Sequence, residues 1–396
     1  MKSAASTAAK LTRNSAENLP AGGLEEKLAL AGKEDRQLRV KLGLDPTAPD
    51  IHLGHTVVLT KLREFQDAGH KVVLIVGDHT ARVGDPSGRS ETRPVLTQGE
   101  ILANAKSYEA QAGLILDQDP ERYELRFNSE WLDMPSDELL GLVRTTTVAQ
   151  MLERDDFAKR YKSGLPISIL EFLYPLMQAY DSVAIRSDIE IGGTDQTFNI
   201  LLGRDIQRHY GLPEQSVMTM PILPGIDGAE KMSKTAGNEI AITAAPDDMF
   251  GRTMRLPDTA IEQWFELLAI DKPSSEAGPR DTKAWLARGI VERFHGTAAA
   301  NAAEAQFNSQ FGDHELPEDV EDVEIVATDG VVHMPAALAE AFSISRSEAR
   351  RLVEQGGVKI DGEAFAADQL DATISDLDGK VVQIGRRRFK RFRIAR

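Results

Sequence analysis

The sequence predicts an α/β fold with a parallel sheet, followed by an all-α domain and a small α+β domain. Two apolar segments, residues 38–44 and Lys71–Val76, have the length and continuous hydrophobicity of strands buried on both faces. Between them Val58, Leu62 and Phe65 recur at helical spacing. A strand, helix, strand order of this kind is typical of parallel strands joined by a crossover helix.

The composition is that of a globular protein with several domains. The chain has 396 residues, of which 41% are hydrophobic and 27% are charged, and its length predicts roughly two or three domains. No apolar run approaches the roughly 20 residues of a membrane span, so we expect no membrane partner. Because cysteine is absent, disulfides and thiolate metal sites are excluded, and we expect a cytoplasmic location.

Charge is distributed unevenly along the chain. The net charge is −16, of which residues 1–333 carry −19 and residues 334–396 carry +3. The last 17 residues hold eight basic side chains and no acidic one. The acidic body argues against a protein that coats nucleic acid indiscriminately, whereas the basic end predicts a local contact with a polyanion.

Two histidines stand where the first predicted strand gives way to the helix. His52 and His55 are three residues apart with a glycine between them. Backbone N–H groups converge at the start of a helix and stabilise an anion, which favours a phosphate-binding role. Incidental surface histidines and half of a metal site are the alternatives. No HExxH glutamate or third ligand is spaced nearby, so we expect no protein metal site.

Two short motifs together resemble the signatures of class I aminoacyl-tRNA synthetases. His52-Leu53-Gly54-His55 is followed far downstream by Lys231-Met232-Ser233-Lys234-Thr235. Residues 171–181 then lead into a strand-like segment and Gly192-Gly193-Thr194-Asp195-Gln196. This second set of residues resembles the tyrosyl-tRNA synthetases of the bacterial type, and the resemblance spans nearly the whole chain.

The residue patterns together with the resemblance divide the chain into consecutive parts. They are an N-terminal tail and helix (1–36), a Rossmann-like nucleotide-binding catalytic domain (37–240) with a helical insertion (about 97–170), a helical anticodon-recognition domain (241–312), an acidic linker (313–333) and a small α+β RNA-binding domain resembling a ribosomal protein (334–396). The first 16 residues carry three basic side chains and no acid. We expect them to be a disordered tail, because an organellar transit peptide contains more arginine.

Three polar residues line one face of a predicted helix. Tyr174, Gln178 and Asp181 follow at i, i+4 and i+7 in an apolar segment, where polar groups require partners. The resemblance implies that a tyrosine substrate supplies them. The tyrosine-binding residues that we predict are Lys41, Asp85, Tyr174, Gln178, Asp181 and Gln196.

Lys41 departs from the family pattern, in which tyrosine is common at this position. We expect its ammonium either to pair with Asp181 inside the pocket or to lie outside the pocket with its stem packed on the sheet.

The activity implied by the resemblance is the activation of tyrosine by ATP, followed by transfer of tyrosine to the 3′ end of tRNA(Tyr). The attacking carboxylate is already an anion, so catalysis is predicted to rest on positioning and on stabilisation of phosphate charge. ATP is expected as a substrate with Mg²⁺, and no tightly bound cofactor is expected. The candidate catalytic residues are His52, His55, Lys231, Lys234 and Thr47. The candidate ATP contacts are Gly43, Asp45, Gly54, Gly193, Asp195 and Lys234.

The expected partners are tRNA(Tyr), L-tyrosine, ATP and a second copy of the chain in a homodimer. The candidate RNA contacts are Arg346, Arg350, Arg351, Arg386, Arg387 and Arg388. A tryptophanyl-tRNA synthetase is one alternative, but it has no need of the acid at Asp181. A non-catalytic RNA-binding paralogue and a nucleotidyltransferase of the same superfamily are the others.

Overall fold

A computed structural model describes residues 3–85, 97–273, 277–311, 320–328, 330–366, 369–385 and 388–395. They belong to two compact units, Met1–Ala303 and Glu304–Arg396. None of the helices in these ranges combines the length and the apolar character that crossing a lipid bilayer requires.

A six-stranded sheet is the centre of the first unit. Its strands are β1 (Glu17–Leu19), β2 (Arg39–Leu44), β3 (Lys71–Val76), β4 (Tyr123–Phe127), β5 (Ile189–Gly193) and β6 (Ser216–Met220). They lie in the order β1-β6-β5-β2-β3-β4, and all except β1 are parallel to their neighbours. The two strands predicted from the sequence are therefore confirmed as β2 and β3, which pair directly.

Helices precede, connect and follow these strands along the chain. They are α1 (Ala4–Leu11), α2 (Gly23–Glu34), α3 (Leu53–Asp67), α4 (Thr80–Val83), α5 (Gln98–Ala112), α6 (Ser129–Leu132), α7 (Ser136–Val143), α8 (Val148–Met151), α9 (Asp155–Lys162), α10 (Ile169–Ala184), α11 (Thr197–His209), α12 (Pro246–Thr253), α13 (Ile261–Leu268) and α14 (Pro279–Phe311). Helix α14 is kinked at Gly296, whose φ of 82° and ψ of 166° are not helical. Short 3₁₀ turns cover Thr194–Gln196 and Asp258–Ala260.

The N-terminal segment is ordered in the described residues, so the expectation of a disordered tail is wrong there. The side chain of Ser3 caps α1 by accepting a hydrogen bond from the backbone N–H of Ser6, and Leu11 is buried. Strand β1 then pairs antiparallel with β6. The sheet is consequently mixed at this edge, where the sequence predicted only parallel strands.

The segment from 97 to 170 is largely helical, as predicted, but Tyr123–Phe127 corrects the assignment. This stretch is β4, which pairs parallel with β3 at the edge of the sheet. Helix α5 is therefore the crossover between two sheet strands. Within the described part of the segment 97–170, the residues from 128 to about 168 contain helices without a sheet strand between them.

The helices predicted at 241–312 are present, and those before residue 304 pack against the sheet domain. Ile261, Trp264, Phe265 and Leu268 are buried, as their spacing predicts. The guanidinium of Arg293 donates a hydrogen bond of 2.7 Å to the hydroxyl of Thr60 in α3. Residues up to Ala303 therefore belong to the same compact unit as the sheet.

The described residues of the second unit form a five-stranded sheet, a two-stranded sheet and three helices, after the end of α14. Its elements are β7 (Asp322–Val326), β8 (Val331–His333), α15 (Met334–Phe342), α16 (Arg346–Glu354), β9 (Val358–Ile360), β10 (Glu363–Ala364), β11 (Asp371–Thr373), α17 (Ile374–Leu377), β12 (Val381–Ile384) and β13 (Arg388–Ala395). The larger sheet has the order β10-β9-β12-β13-β7, and the smaller pairs β11 with β8.

Strand β7 corrects the predicted acidic linker. It lies in the segment 313–333, but it pairs parallel with β13, and Ile325 is buried in the core of the second unit. Alternation of Val323 and Ile325 with acidic residues places the apolar side chains on one face, so the charge of the segment concealed a strand. Residues 313–319 of the predicted linker are outside the described residues.

Candidate active site

The candidate site lies where the chain order of the parallel sheet reverses. Strand β2 is flanked by β3 on one side and by β5 on the other. Ligands bind at the carboxyl ends of such strands, because the chain leaves them in opposite directions and opens a crevice. Gly43, near the end of β2, is exposed, and a Cβ added there would meet only open space. The backbone of β2 is thus open to a ligand.

The two predicted histidines mark the start of α3. His52 is the N-cap residue, and its backbone N–H lies 3.3 Å from Nδ1 of His55. The ring centroids are 4.0 Å apart. A Cβ at Gly54 would lie 3.0 Å from the ring of His52, so glycine allows the ring to fold over the helix start. Within the described residues Nδ1 of His52 is buried without a hydrogen-bond partner.

Both histidines are neutral near pH 7. Burial lowers the pKa of His52 to about 2 and that of His55 to about 4, and the neighbouring charge of Lys231 acts in the same direction. A neutral imidazole donates one hydrogen bond and carries no net charge. The two histidines can therefore donate hydrogen bonds to a phosphate, whereas other residues must provide the positive charge.

The loop that carries the two lysines is fastened beside α3. The side-chain oxygen of Asn238 accepts a hydrogen bond of 2.8 Å from the backbone N–H of Ser233. The backbone N–H of Leu53 donates to the carbonyl of Ile240 at 2.9 Å, and Met232 is buried. The two motifs are thus neighbours in space, although about 180 residues separate them in the sequence.

Lys231 and Lys234 are held at the edge of the site by carboxylates. Lys231 forms an ion pair with Asp195 and is 61% exposed. Lys234 lies 3.2 Å from a carboxylate oxygen of Asp50 and is 53% exposed. Exposed ion pairs contribute about 0–1 kcal/mol to stability. A bound polyphosphate can therefore replace the carboxylate as the partner of either ammonium with little loss of free energy.

The hydroxyl of Tyr174 connects α10 to the end of β2. It donates a hydrogen bond of 2.9 Å to Oδ2 of Asp45, while the hydroxyl of Thr80 donates to Oδ1 at 2.7 Å. A Cβ at Gly77 would lie 2.0 Å from Oδ1 of Asp45, so only glycine fits beside this pair. The sequence predictions missed Thr80 and Gly77, because both lie in an ordinary strand-to-helix turn.

A second group of hydrogen bonds joins three predicted residues through one that was missed. The side chain of Gln196 donates to Asp85 at 2.9 Å. The amide of Asn199 donates to Gln196 at 3.1 Å and to Gln178 at 2.8 Å. Asn199 stands three residues after Gln196 on the same helical turn, and this spacing was the available signal.

Arg154 closes this group from the helical segment. Its guanidinium donates to the side-chain oxygen of Asn199 at 3.0 Å and lies 3.5 Å from Asp85. It is 5% exposed. No sequence pattern identified Arg154, because its partners lie on other elements.

Asp181 is the most deeply buried acid among the predicted site residues. It is 3% exposed and accepts a hydrogen bond of 2.8 Å from the indole N–H of Trp131. Burial raises the pKa of Asp181 to about 7, against the opposing effects of the Lys41 ammonium and the Trp131 hydrogen bond. Trp131 was not predicted from the sequence.

The ammonium of Lys41 corrects both expectations for this residue. Lys41 is fully buried, and its Nζ lies 2.9 Å from Oε1 of Glu190. It also donates to the hydroxyl of Ser182 and to the carbonyl of Gln178, each at 2.8 Å. Its ion-pair partner is Glu190 rather than Asp181, and it is enclosed rather than outside the pocket.

Thr47 lies in the segment that connects β2 to the start of α3. Its backbone N–H donates to the carbonyl of Asp45 at 2.8 Å, which forms a tight turn after β2. Its role in phosphate binding stays a prediction.

Helix α16 carries the candidate RNA contacts of the second unit. Arg346, Arg350 and Arg351 are exposed, and Arg350 forms an ion pair of 2.9 Å with Glu354. The guanidinium of Arg388 donates to the carbonyl of Phe342 and lies over the ring of that residue. Arg386 and Arg387 are outside the described residues.

Comparison with known proteins identifies the family. A model described as tRNA synthetases class I (W and Y) matches residues 33–312, and an S4 domain model matches residues 337–364. A tyrosine–tRNA ligase of Thermotoga maritima is 51% identical, over 93% of this chain and 93% of the relative. One of Moorella thermoacetica is 49% identical, over 96% of this chain and 94% of the relative.

Solved structures agree at the level of the fold. The tyrosyl-tRNA synthetase of Archaeoglobus fulgidus complexed with L-tyrosine aligns with a TM-score of 0.59 and 23% identity, over 76% of this chain and 99% of that one. A truncated mitochondrial tyrosyl-tRNA synthetase of Aspergillus nidulans gives 0.62 and 23%, over 78% and 95%. The sequence matches and the fold indicate the same family, and the chain belongs to the tyrosyl-tRNA synthetases, within the class I synthetases for tryptophan and tyrosine.

Proposed function

We propose that this protein activates L-tyrosine with ATP, releasing pyrophosphate, and then transfers tyrosine from the adenylate to the 3′ end of tRNA(Tyr). The observation that carries the proposal is the buried Asp181, which lies on the same helix as Tyr174 and Gln178. A buried carboxylate on such a face suits the hydroxyl of a phenol. The relatives named as tyrosine–tRNA ligases support the same reaction.

The first step needs no general base. An oxygen of the tyrosine carboxylate attacks the α-phosphorus of ATP, the bond between that phosphorus and the bridging oxygen breaks, and the electron pair leaves with pyrophosphate. Negative charge grows on the phosphate oxygens during this step. We assign His52 and His55 to hydrogen bonds with those oxygens, Lys231 and Lys234 to the departing pyrophosphate, and Thr47 to a supporting phosphate contact.

The nucleotide would lie along the open carboxyl ends of β2 and β5. Gly43 leaves space for it, Gly54 lets the ring of His52 lie at the start of α3 beside it, and Gly193 adjoins Asp195, whose carboxylate suits the ribose hydroxyls. Asp45 completes the set that we propose for ATP. Among the described residues no group of three or more His, Asp or Glu side chains could hold a metal ion. Mg²⁺ is proposed to arrive with its ligands supplied mainly by ATP phosphates.

The amino acid would enter beside the hydrogen-bonded group around Gln178. Asp85, Tyr174 and Gln178 present acceptors that suit an ammonium, and Gln196 lies next to them. Lys41 does not touch the substrate in this proposal, because its three hydrogen bonds are already made within the protein.

Pyrophosphate exchange tests the reaction directly. Radioactive pyrophosphate should enter ATP in the presence of tyrosine and of no other amino acid among the twenty. Exchange that depends on tryptophan would instead establish the tryptophanyl alternative. No exchange with any amino acid would leave a non-catalytic RNA-binding role.

The second unit is proposed to bind tRNA. Deleting residues 320–396 should leave tyrosine-dependent exchange within about twofold and weaken aminoacylation of tRNA(Tyr) by more than tenfold, because phosphate contacts contribute much of the affinity for nucleic acid. The deletion begins before β7, so it removes this strand together with its partner β13. Loss of exchange as well would show that the unit supports the fold of the active site. Because the proposed reaction provides aminoacyl-tRNA for protein synthesis and the most similar tyrosine–tRNA ligases named above are bacterial, we propose a cytoplasmic location.

A homodimer is proposed from the surface of the helical segment. The large apolar side chains that it exposes are Leu140, Val148, Tyr161, Leu165, Ile169 and Leu170. Stable interfaces between two copies commonly bury more than about 1,200 Å² and contain an apolar centre. Sedimentation at micromolar concentration should give a dimer, and Val148→Glu with Ile169→Glu should give a folded monomer. Leu114→Glu, at an exposed position between α5 and β4, is the matched control and should remain dimeric.

A further inference from the structure

A buried pair of opposite charges lies inside the sheet domain beneath the candidate tyrosine pocket. Lys41 in β2 and Glu190 in β5 have side chains that are 0% and 2% exposed, and their charged atoms are 2.9 Å apart. The other oxygen of Glu190 accepts hydrogen bonds from the hydroxyl of Ser182 at 3.0 Å and from the amide of Gln215 at 2.5 Å. Four segments of the chain therefore meet at two charges.

Packing alone does not require these charges. Removing two ions from water costs several kcal/mol each, and well-packed apolar residues of similar volume are often as stabilising as a buried ion pair. The surrounding structure also makes room for the pair. A Cβ at Gly203 in α11 would lie 2.6 Å from the amide of Gln215 and 3.3 Å from Glu190. These costs point to a role in the adjoining site.

The pair is connected to Asp181 through the backbone of α10. The ammonium of Lys41 donates to the carbonyl of Gln178 and to the hydroxyl of Ser182, which stand three residues before and one residue after Asp181. It therefore fastens to β2 the helical turn that carries the acid. A shift of this turn would move the carboxylate relative to Trp131.

The two charges also act on Asp181 in opposite senses. Lys41 from β2 lowers the pKa of Asp181 and Glu190 from β5 raises it. The other two groups with the largest effects on the carboxyl are uncharged hydrogen-bond donors, Trp131 in α6 and Asn128 just before it. Substituting either member of the pair should therefore change the titration of Asp181 in a predictable direction.

We propose that Lys41 and Glu190 are positioning residues that set the orientation and the charge of Asp181, and thereby the preference for tyrosine over phenylalanine. This inference rests on the proposed function, in which Asp181 accepts the hydrogen bond of the phenol. An ionised carboxylate is the stronger acceptor, so tyrosine is preferred most where Asp181 is ionised.

The test is the pH dependence of amino-acid binding to the full-length protein. Dissociation constants of L-tyrosine and L-phenylalanine are measured by calorimetry between pH 5.5 and 8.5. The ratio of the two constants removes titrations that affect both ligands equally. In the unaltered protein the preference for tyrosine should rise with pH, as Asp181 ionises.

Two single variants should move this profile in opposite directions. Lys41→Met removes the positive charge that favours ionised Asp181, so the midpoint of the pH profile should rise by about one pH unit or more. Glu190→Gln removes a negative charge that disfavours ionised Asp181, so the midpoint of the pH profile should fall. The double variant Lys41→Met/Glu190→Gln should lie between the two. Because Lys41→Met leaves a buried carboxylate without its partner and can fail to fold, Glu190→Gln and the double variant also decide the question.

Lys61→Met is the matched control. Lys61 is also buried, but it pairs with Glu64 on α3 and is absent from the groups that act on Asp181. Its midpoint should not move. Equal midpoints in all variants, or shifts of both single variants in the same direction, would overturn the inference. Tyrosine-dependent exchange by the unaltered protein tests the proposed function separately, so the two failures are distinguishable.

Discussion

Replacing His52 or Lys234 by alanine should slow the formation of tyrosyl-adenylate by roughly 2–4 kcal/mol in activation free energy, with little change in tyrosine affinity. His52→Ala removes a neutral hydrogen-bond donor at the start of α3. Lys234→Ala removes a cation that is free to leave Asp50. Both groups are proposed to meet charge that grows only as pyrophosphate departs. The measurements are single-turnover adenylate formation and the equilibrium dissociation constant of tyrosine.

Two substitutions outside the site serve as controls. His333→Ala removes an exposed histidine of the second unit, and Lys33→Ala removes an exposed lysine of α2. Neither should change the rate of adenylate formation. If His52→Ala or Lys234→Ala weakened tyrosine binding as much as it slowed the reaction, that group would stabilise the bound substrate rather than the transition state.

Asp181→Ala should lower the preference for tyrosine over phenylalanine by about 1.5–3 kcal/mol, roughly 10- to 150-fold in the ratio of kcat/KM values. In the unaltered protein phenylalanine would leave the buried carboxylate without a partner for one of its oxygens. The variant has no such acceptor, so the penalty against phenylalanine disappears. Pyrophosphate exchange with each amino acid gives the ratio.

The control for this substitution is Asp188→Ala. Asp188 is another mostly buried acid, but it pairs with Arg36 just before β5 begins, at the opposite end of that strand from the site. Its removal should change stability and leave the tyrosine preference intact. An unchanged ratio of kcat/KM values in Asp181→Ala would mean that another residue recognises the hydroxyl of tyrosine. Trp131→Phe should give a smaller loss, because it removes only the group that orients the carboxylate.

Local pattern was sufficient for the parts of the site that follow one another along the chain. His52 and His55 stand at a helix start because the apolar strand, the Gly/Asp/Pro turn and the helical spacing are all readable in one segment. Tyr174, Gln178 and Asp181 share a face because the helix period alone places them there. Strands β2 and β3 were predicted in the same way, from continuous apolar runs.

Pairing between distant segments was decided only in the tertiary structure. Strands β1, β4 and β7 are short or partly charged, and each is stabilised by a neighbour that lies far away in the sequence. Their own residues carry too weak a signal to compete with the helical or linker reading. The predicted tail, insertion and linker were corrected for this one reason.

The sequence by itself determined the family and the two adjacent parallel strands β2 and β3, whereas the site residues that it names stay predictions. It did not determine which acid pairs with Lys41, because the ammonium interacts electrostatically with both Asp181 and Glu190 in the fold. The choice depends on where α10 packs against the sheet, and the ammonium settles where Ser182, Gln178 and Glu190 together satisfy its three N–H groups. A buried charge takes the position at which all of its hydrogen bonds are made, and only the packed structure specifies that position.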